Sequence, residues 1–389
     1  MSTTDPKKKV ERSRNLAAGY SIANLLQSEG AVDRNIGLLC GWLDKAAEAR
    51  EPVDLDQLFA YATNDNAGEF VLSQSFGFLE RGADTGGTIK NSLAHNAYVA
   101  IMGFYGWVHT VLIGNPLVTW LGVLPLGHII DSSTRYIKER EHNEDARFDL
   151  MSHWLKALEE NPDRMTVYDV HSAVYNNLAA GADTVAGGLQ SFVYHTIRHP
   201  DAWRRCREEI AAAGLDGSGH VISFGDAQKL PYLQACITEA LRIFSPAPMG
   251  LPRVVGPEGL TIGGKTFPRG TTLSVSAHVI HASKEIWGPT AREFRPERWL
   301  SSSAEDGGFD NKMQKYWIPF GAGYASCPGQ NIARIQLSKI TATLVRDYDI
   351  RQKDPKQDWT YKAYFTVVPR GWPVTVKKSS ENDGCLERA

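Results

Sequence analysis

Apolar positions recur at helical spacing through the first half of the chain. Residues 36–49 (IGLLCGWLDKAAEA) place them three and four apart, and so do residues 148–158; both patterns predict amphipathic helices. Thr166 followed by Asp169 has the form of a capping box. The helical pattern it opens runs to His199, where Pro200 ends it. A helix of that length spans about 50 Å, enough to cross a whole domain. Another helix follows Pro231 (YLQACITEALRIF) and stops at Ser245-Pro246.

Beyond residue 246 the pattern changes. Arg253-Val254-Val255, Leu260-Thr261-Ile262 and residues 272–275, with a Gly263-Gly264 turn, predict short strands. A Pro-rich coil covers residues 294–300 and a Gly-rich loop residues 320–329. A last helix runs from Gln330 to about Asp347. A hairpin pairing residues 364–368 with 373–376 is expected to close the chain. The fold class is therefore mainly α with small β-sheets.

With 389 residues, 42% of them hydrophobic, the chain can bury a large core. No linker, low-complexity stretch or solenoid period divides it, so residues 1–378 read as one domain and 379–389 as a disordered polar tail. A net charge of -2 lacks the basic excess of a nucleic-acid binder. The run Lys7-Lys8-Lys9 reads as a solvated first turn. Five cysteines without a CxxC pair argue for a reducing compartment over a disulfide scaffold. The polar N-terminus is neither a signal peptide nor a transmembrane anchor. Residues 91–130 carry no Asp, Glu, Lys or Arg. Their apolar centre, 99–114, is broken by His109 and glycines and falls short of the roughly 20 apolar residues a span needs. A buried or interfacial helix, with peripheral membrane contact through 91–130, is the reading.

Four groups of residues suggest chemistry. In FGAGYASCPG (320–329), Cys327 ends a glycine loop immediately before a helix. Free N–H groups there favour thiolate over thiol, and Gly323 and Gly329 admit close approach of a flat ligand. A buried structural cysteine is the alternative. In AGADT (180–184), Gly181 sits mid-helix at a cost of about 1 kcal/mol. It suggests a notch where dioxygen fits, with Asp183 and Thr184 beside it for proton relay; close helix packing is the alternative. Glu239 and Arg242 share a helix face and pair at least as a surface ion pair. If Arg298, from FRPERW, joins them, the three form a buried network satisfied only as a set.

These motifs, in this order, resemble the cytochrome P-450 family of haem-thiolate monooxygenases. YSIANLL near Tyr20, FGFLE at Phe76 and the WP strand at Trp372 are similar to fungal microsomal members of secondary metabolism. The resemblance implies a long central helix over haem b (iron protoporphyrin IX), with the Cys loop and its helix beneath. It implies Cys327 as axial ligand of the iron, Phe320 as its shield, and Asp183 and Thr184 as the dioxygen-activating pair. Glu239, Arg242 and Arg298 become the triad holding the Cys loop, and Arg253 a partner of a haem propionate. Residues 246–251, Phe365 and Thr366 would face substrate. The family's loop arginine is Ala325 here. Tyr20 to Leu26 resembles the segment after the third major helix, so the first sheet strands, the N-terminal helices and their propionate partners are expected to be missing.

The implied function is oxidation, mostly hydroxylation, of a lipophilic small molecule in secondary-metabolite biosynthesis. It uses O2 and electrons from NADPH through a separate cytochrome P-450 reductase. The location is the endoplasmic reticulum surface or the cytoplasm. Two alternatives stand beside it: a truncated, non-catalytic remnant with impaired haem binding, and a haem-thiolate isomerase or dehydratase.

Overall fold

A computed structural model describes residues 5–113, 126–143, 147–217, 219–300 and 311–379. The expected tail lies almost wholly outside them. Helices of eight or more residues are, in chain order, α1 (Pro6–Leu16), α2 (Glu29–Ala49), α3 (Leu55–Leu72), α4 (Thr88–Met102), α5 (Gly106–Ile113), α6 (Leu126–Glu141), α7 (Leu150–Glu160), α8 (Val167–Ile197), α9 (Pro200–Ala212), α10 (Pro231–Ile243) and α11 (Gln330–Asp347).

Helix α8, 31 residues long, is the axis of the molecule. Thr166 and Asp169 close the expected capping box, and Pro200 opens α9 as its first residue. Its second half is buried on nearly every side, because α3, α10 and α11 pack around it. Helix α3 is likewise enclosed. Its polar Asn66 is satisfied by Asn35 of α2 at 3.0 Å and Gln336 of α11 at 3.1 Å, which fixes the three helices in register.

The sheets are small and antiparallel. β1 (Arg253–Val254) pairs with β4 (Thr272–Leu273), and β2 (Leu260–Ile262) with β3 (Lys265–Phe267). The closing hairpin is not the expected one. β6 (Val374–Lys378) pairs with β5 (Tyr348–Gln352), which continues directly from α11. The reason is burial: β5 and β6 both alternate, and Val374 and Val376 turn into the core only in that pairing. Residues 360–370 fold back on themselves through bridges Thr360–Arg370 and Ala363–Val367.

The described part of the uncharged segment is mostly half-buried over 91–100, with Asn96 buried, and turns to solvent from residue 101 onward. Ile101, Phe104, Tyr105, Trp107 and Val111 are all exposed. Tyr98 Oη lies 2.9 Å from His109 Nδ1 and ties α5 to α4. Among the described residues no helix is long and apolar enough to cross a membrane.

Candidate active site

The Cys loop is shaped by its glycines. Gly321 and Gly323 hold φ of 72° and 68°, in the left-handed region side chains avoid. The loop then doubles back so that the Cys327 N–H donates to the Phe320 carbonyl at 2.7 Å. Phe320 packs edge-on to Trp317 at 6.0 Å, with Arg334 over its ring at the same distance. Cys327 is partly buried. Burial raises its thiol pKa, and the Gly329 N–H pulls it down by less. The protein alone therefore favours thiol, contrary to the sequence expectation. Helix α11 begins only at Gln330, so a single N–H offsets the loss of water around the sulfur. A bound cation reverses this balance, because a metal-coordinated thiol is deprotonated outright.

Behind the loop lies the network expected of Glu239, Arg242 and Arg298, buried rather than on the surface. Arg242 donates to both oxygens of Glu239 at 2.8 Å, and Arg298 Nε to Oε1 at 2.9 Å. The Arg295 N–H and Trp299 Nε1 complete the carboxylate at 2.9 Å each. Arg242 Nη1 also reaches the carbonyls of His281 and Ala291 at 2.6 and 2.7 Å. All three side chains have 3% exposure or less, so the set is satisfied only as a set.

On α8, Thr184 Oγ1 donates to the Ala180 carbonyl at 2.9 Å. Asp183 points elsewhere. Fully buried, it accepts Ser92 Oγ at 2.7 Å and Asn96 Nδ2 at 2.9 Å, both from α4. Burial raises its pKa against those two bonds. The expected pair is thus split: the hydroxyl stays on α8 and the acid is tied to α4. A methyl at Gly181 would meet only Ala67 Cβ at 3.9 Å, and one at Gly323 nothing within 4 Å. Space at both glycines is left open by the protein itself.

Sequence reasoning gave Tyr20 no role in the site. Its hydroxyl accepts Asn177 Nδ2 of α8 at 2.7 Å, and its carbonyl accepts Asn331 Nδ2 of α11 at 2.9 Å. Asn177 lies one helical turn before Gly181, and Asn331 sits in the first turn of α11, just after the Cys loop, so Tyr20 ties the two sides together. The only signal was two asparagines within helical patterns. The segments expected to face substrate also meet: the Val367 N–H donates to the Pro246 carbonyl at 2.9 Å, beside Gly187 of α8. Beside it, the Thr366 Oγ1 is buried with no hydrogen-bond partner among the described residues. Arg253 stacks on Tyr324 at 5.4 Å.

The donor set fits haem iron. It offers one soft sulfur on a rigid loop, with cations nearby for the carboxylates of a porphyrin. Such a sulfur on its glycine loop, in a fold that also holds a buried carboxylate–guanidinium set and one long central helix, marks the haem-thiolate class. The comparisons agree. The sequence matches the cytochrome P-450 family over residues 1–371. It is 30% identical over 362 residues to cytochrome P-450 monooxygenase mpaDE of Penicillium roqueforti, covering 90% of this chain and 42% of that one. It is 30% identical over 370 residues to pisatin demethylase of Fusarium vanettenii, covering 92% and 68%. Its fold superposes on the crystal structure of the cytochrome P-450DA heme domain with a TM-score of 0.77 at 18% identity, over 94% of this chain and 76% of that chain. The chain belongs to the cytochrome P-450 family. It spans less than half the length of mpaDE.

Proposed function

We propose that this chain is the haem-holding part of a monooxygenase that oxidises a lipophilic small molecule in secondary metabolism. The observation that carries the reading is Cys327, placed on its glycine loop by the Phe320 carbonyl and backed by the Glu239 network. Haem b held by a thiolate supplies the electron push that favours O–O cleavage. The overall reaction takes a C–H bond, O2, two electrons and two protons to an alcohol and water. NADPH is the electron source, through a separate flavin reductase. Two curated relatives named for such chemistry, mpaDE and pisatin demethylase, support the class.

The chain's own residues take defined parts. Thr184 presents a hydroxyl from α8, and Asp183 is a buried proton reservoir reached through Ser92. Residues 246–251 and 365–366 line the substrate side, where Thr366 Oγ1 offers a free polar contact. The exposed apolar face around Trp107 makes peripheral contact with a bilayer such as that of the endoplasmic reticulum. The test is a reduced carbon monoxide difference spectrum of the haem-reconstituted chain. A thiolate-type Soret band is expected, lost in Cys327→Ala. No such band in the wild-type chain sinks the reading and favours the remnant.

A further inference from the structure

Cys206 of α9 and Cys236 of α10 meet in the core. Their sulfurs lie 3.7 Å apart, the Cys206 thiol donating to Cys236, and both side chains are fully buried. Sequence spacing hides the pair, whose members are 30 positions apart. A disulfide measures about 2.05 Å, so each sulfur has only about 0.8 Å to travel. The two helices are already fixed around the sulfurs. Glu209, one turn after Cys206, accepts the N–H groups of Tyr232 and Leu233 at 2.8 and 2.9 Å and so caps α10 from α9. Arg205 lies over the Tyr232 ring at 3.9 Å, and Arg205 and the Tyr232 hydroxyl both donate to Glu297. Cys236 precedes Glu239 by three residues on the same face of α10. A bond at Cys236 therefore tethers the helix that carries the buried carboxylate. Burial, then the contact with Cys206, raises the Cys236 pKa and keeps the resting pair as thiols.

We propose that Cys206 and Cys236 are a modification site for hydrogen peroxide, which links them as a reversible disulfide between α9 and α10. Local opening of the α9–α10 contact lets the water-sized oxidant in and a thiol proton out. One sulfur attacks a peroxide oxygen, giving a sulfenic acid and the first water. The second sulfur attacks the sulfenic sulfur, forms the S–S bond and releases the oxygen as the second water. The two thiols lose two hydrogens in all, and peroxide takes up two electrons and two protons. The neighbouring thiol intercepts the sulfenic acid before further peroxide carries it to the irreversible sulfinic stage. A monooxygenase that passes two electrons and two protons to O2 without oxidising a C–H bond releases this same oxidant. That source, though not the reactivity of the pair, rests on the function proposed above. In a reducing compartment the dithiol is the resting form and the link a transient response. The link closes a long loop in the unfolded chain and so favours the folded one.

The experiment treats the haem-reconstituted full chain with hydrogen peroxide, blocks the remaining thiols by alkylation and maps tryptic peptides without reduction. A peptide joining Cys206-Arg207 to residues 230–242, two hydrogens lighter than its parts, is expected, and a thiol reductant should release it. The peroxide-treated chain should melt several degrees above the same sample after reduction. Cys206→Ser and Cys236→Ser should each abolish both the linked peptide and that difference. Peroxide that leaves both thiols free, or takes either to a sulfinic acid without a link, overturns the inference. So does a linked chain that melts no higher than its reduced form. These readouts follow the two sulfurs alone, so failure here leaves Cys327 ligation standing. A chain without the thiolate-type Soret band fails that reading and still forms the link under added peroxide.

Discussion

The imidazole Nε2 of His281 accepts the backbone N–H of Ile318 at 2.9 Å. The ring proton therefore sits on Nδ1, which faces Ser245 Oγ at 3.1 Å, and Ser245 donates onward to the Leu241 carbonyl at 2.8 Å. Ile318 is the residue from which the Cys loop departs. One neutral ring thus joins the last turn of α10 to the strand of chain carrying Phe320 and Cys327. The arrangement works only while Nε2 is free to accept.

Burial, then the nearby Arg242 charge, hold the His281 pKa down at about 4. The unfolded chain takes up the proton near the ordinary value of about 6.5. His281 therefore contributes fully above pH 6.5, and its contribution is lost as the pH falls through 4. The loss is roughly 3 kcal/mol over that window. His281→Gln keeps an acceptor near Nε2 and should flatten the acid limb of a denaturation-versus-pH curve. An unchanged limb in this variant would count against the role.

Glu239 accepts five hydrogen bonds from four residues. Removing it leaves Arg242 and Arg298 as buried, uncompensated charges, at a cost of about 3–5 kcal/mol. Glu239→Ala is expected to lower the urea midpoint steeply and to convert the carbon monoxide band to the thiol type. Arg242→Lys should do nearly as much, since an ammonium cannot span both carboxylate oxygens. A variant with wild-type midpoint and band would show that the network is dispensable.

Asp183 is a buried acid whose pKa burial raises. The unfolded carboxyl titrates near 3.9, so above that pH the native state holds the proton more tightly than the unfolded state does, and stability falls as pH rises. Asp183→Asn keeps an acceptor for Asn96 and removes the charge. It should raise stability at pH 7 relative to wild type, with the gap closing toward pH 4, while oxygenation slows for want of a proton. A variant less stable than wild type across that range would be incompatible with a raised pKa.

Helices were legible because their limits are local. Thr166 with Asp169, Pro200, Pro231 and the 330–347 pattern mark ends that the chain itself sets. The Cys loop and the Glu239–Arg242–Arg298 set were legible for another reason: they are motifs whose spacing carries chemistry. What escaped depends on contacts between distant segments. The β5–β6 pairing joins strands 26 residues apart at their starts, and nothing within residues 373–376 says which edge they meet. Tyr20, His281 and the α4 partners of Asp183 are ordinary polar residues until packing brings them across 36 to 157 positions. The protonation of Cys327 went the other way because the sequence shows the helix start but not how much of the sulfur is covered.

Helix α4 faces two ways, and its second half leads to the surface. Ser92 and Asn96 hold Asp183 inside, while Ile101 and the following Phe104 and Trp107 stand in solvent, the last two 73% and 72% exposed. Tyr98 and His109 lock α5 to it, so this apolar face moves as one body with the helix that ties down the buried acid. Exposed aromatics of this size cost about 2 kcal/mol each to keep in water and are repaid at a bilayer surface. Phe104→Asp/Trp107→Asp should therefore weaken flotation with phosphatidylcholine vesicles by at least about tenfold. Trp120, the other tryptophan of the uncharged segment, lies outside the described residues. Because Asp183 is held by the first half of α4, the double variant should leave the pH dependence of stability intact. Unchanged flotation would assign the apolar face to another partner.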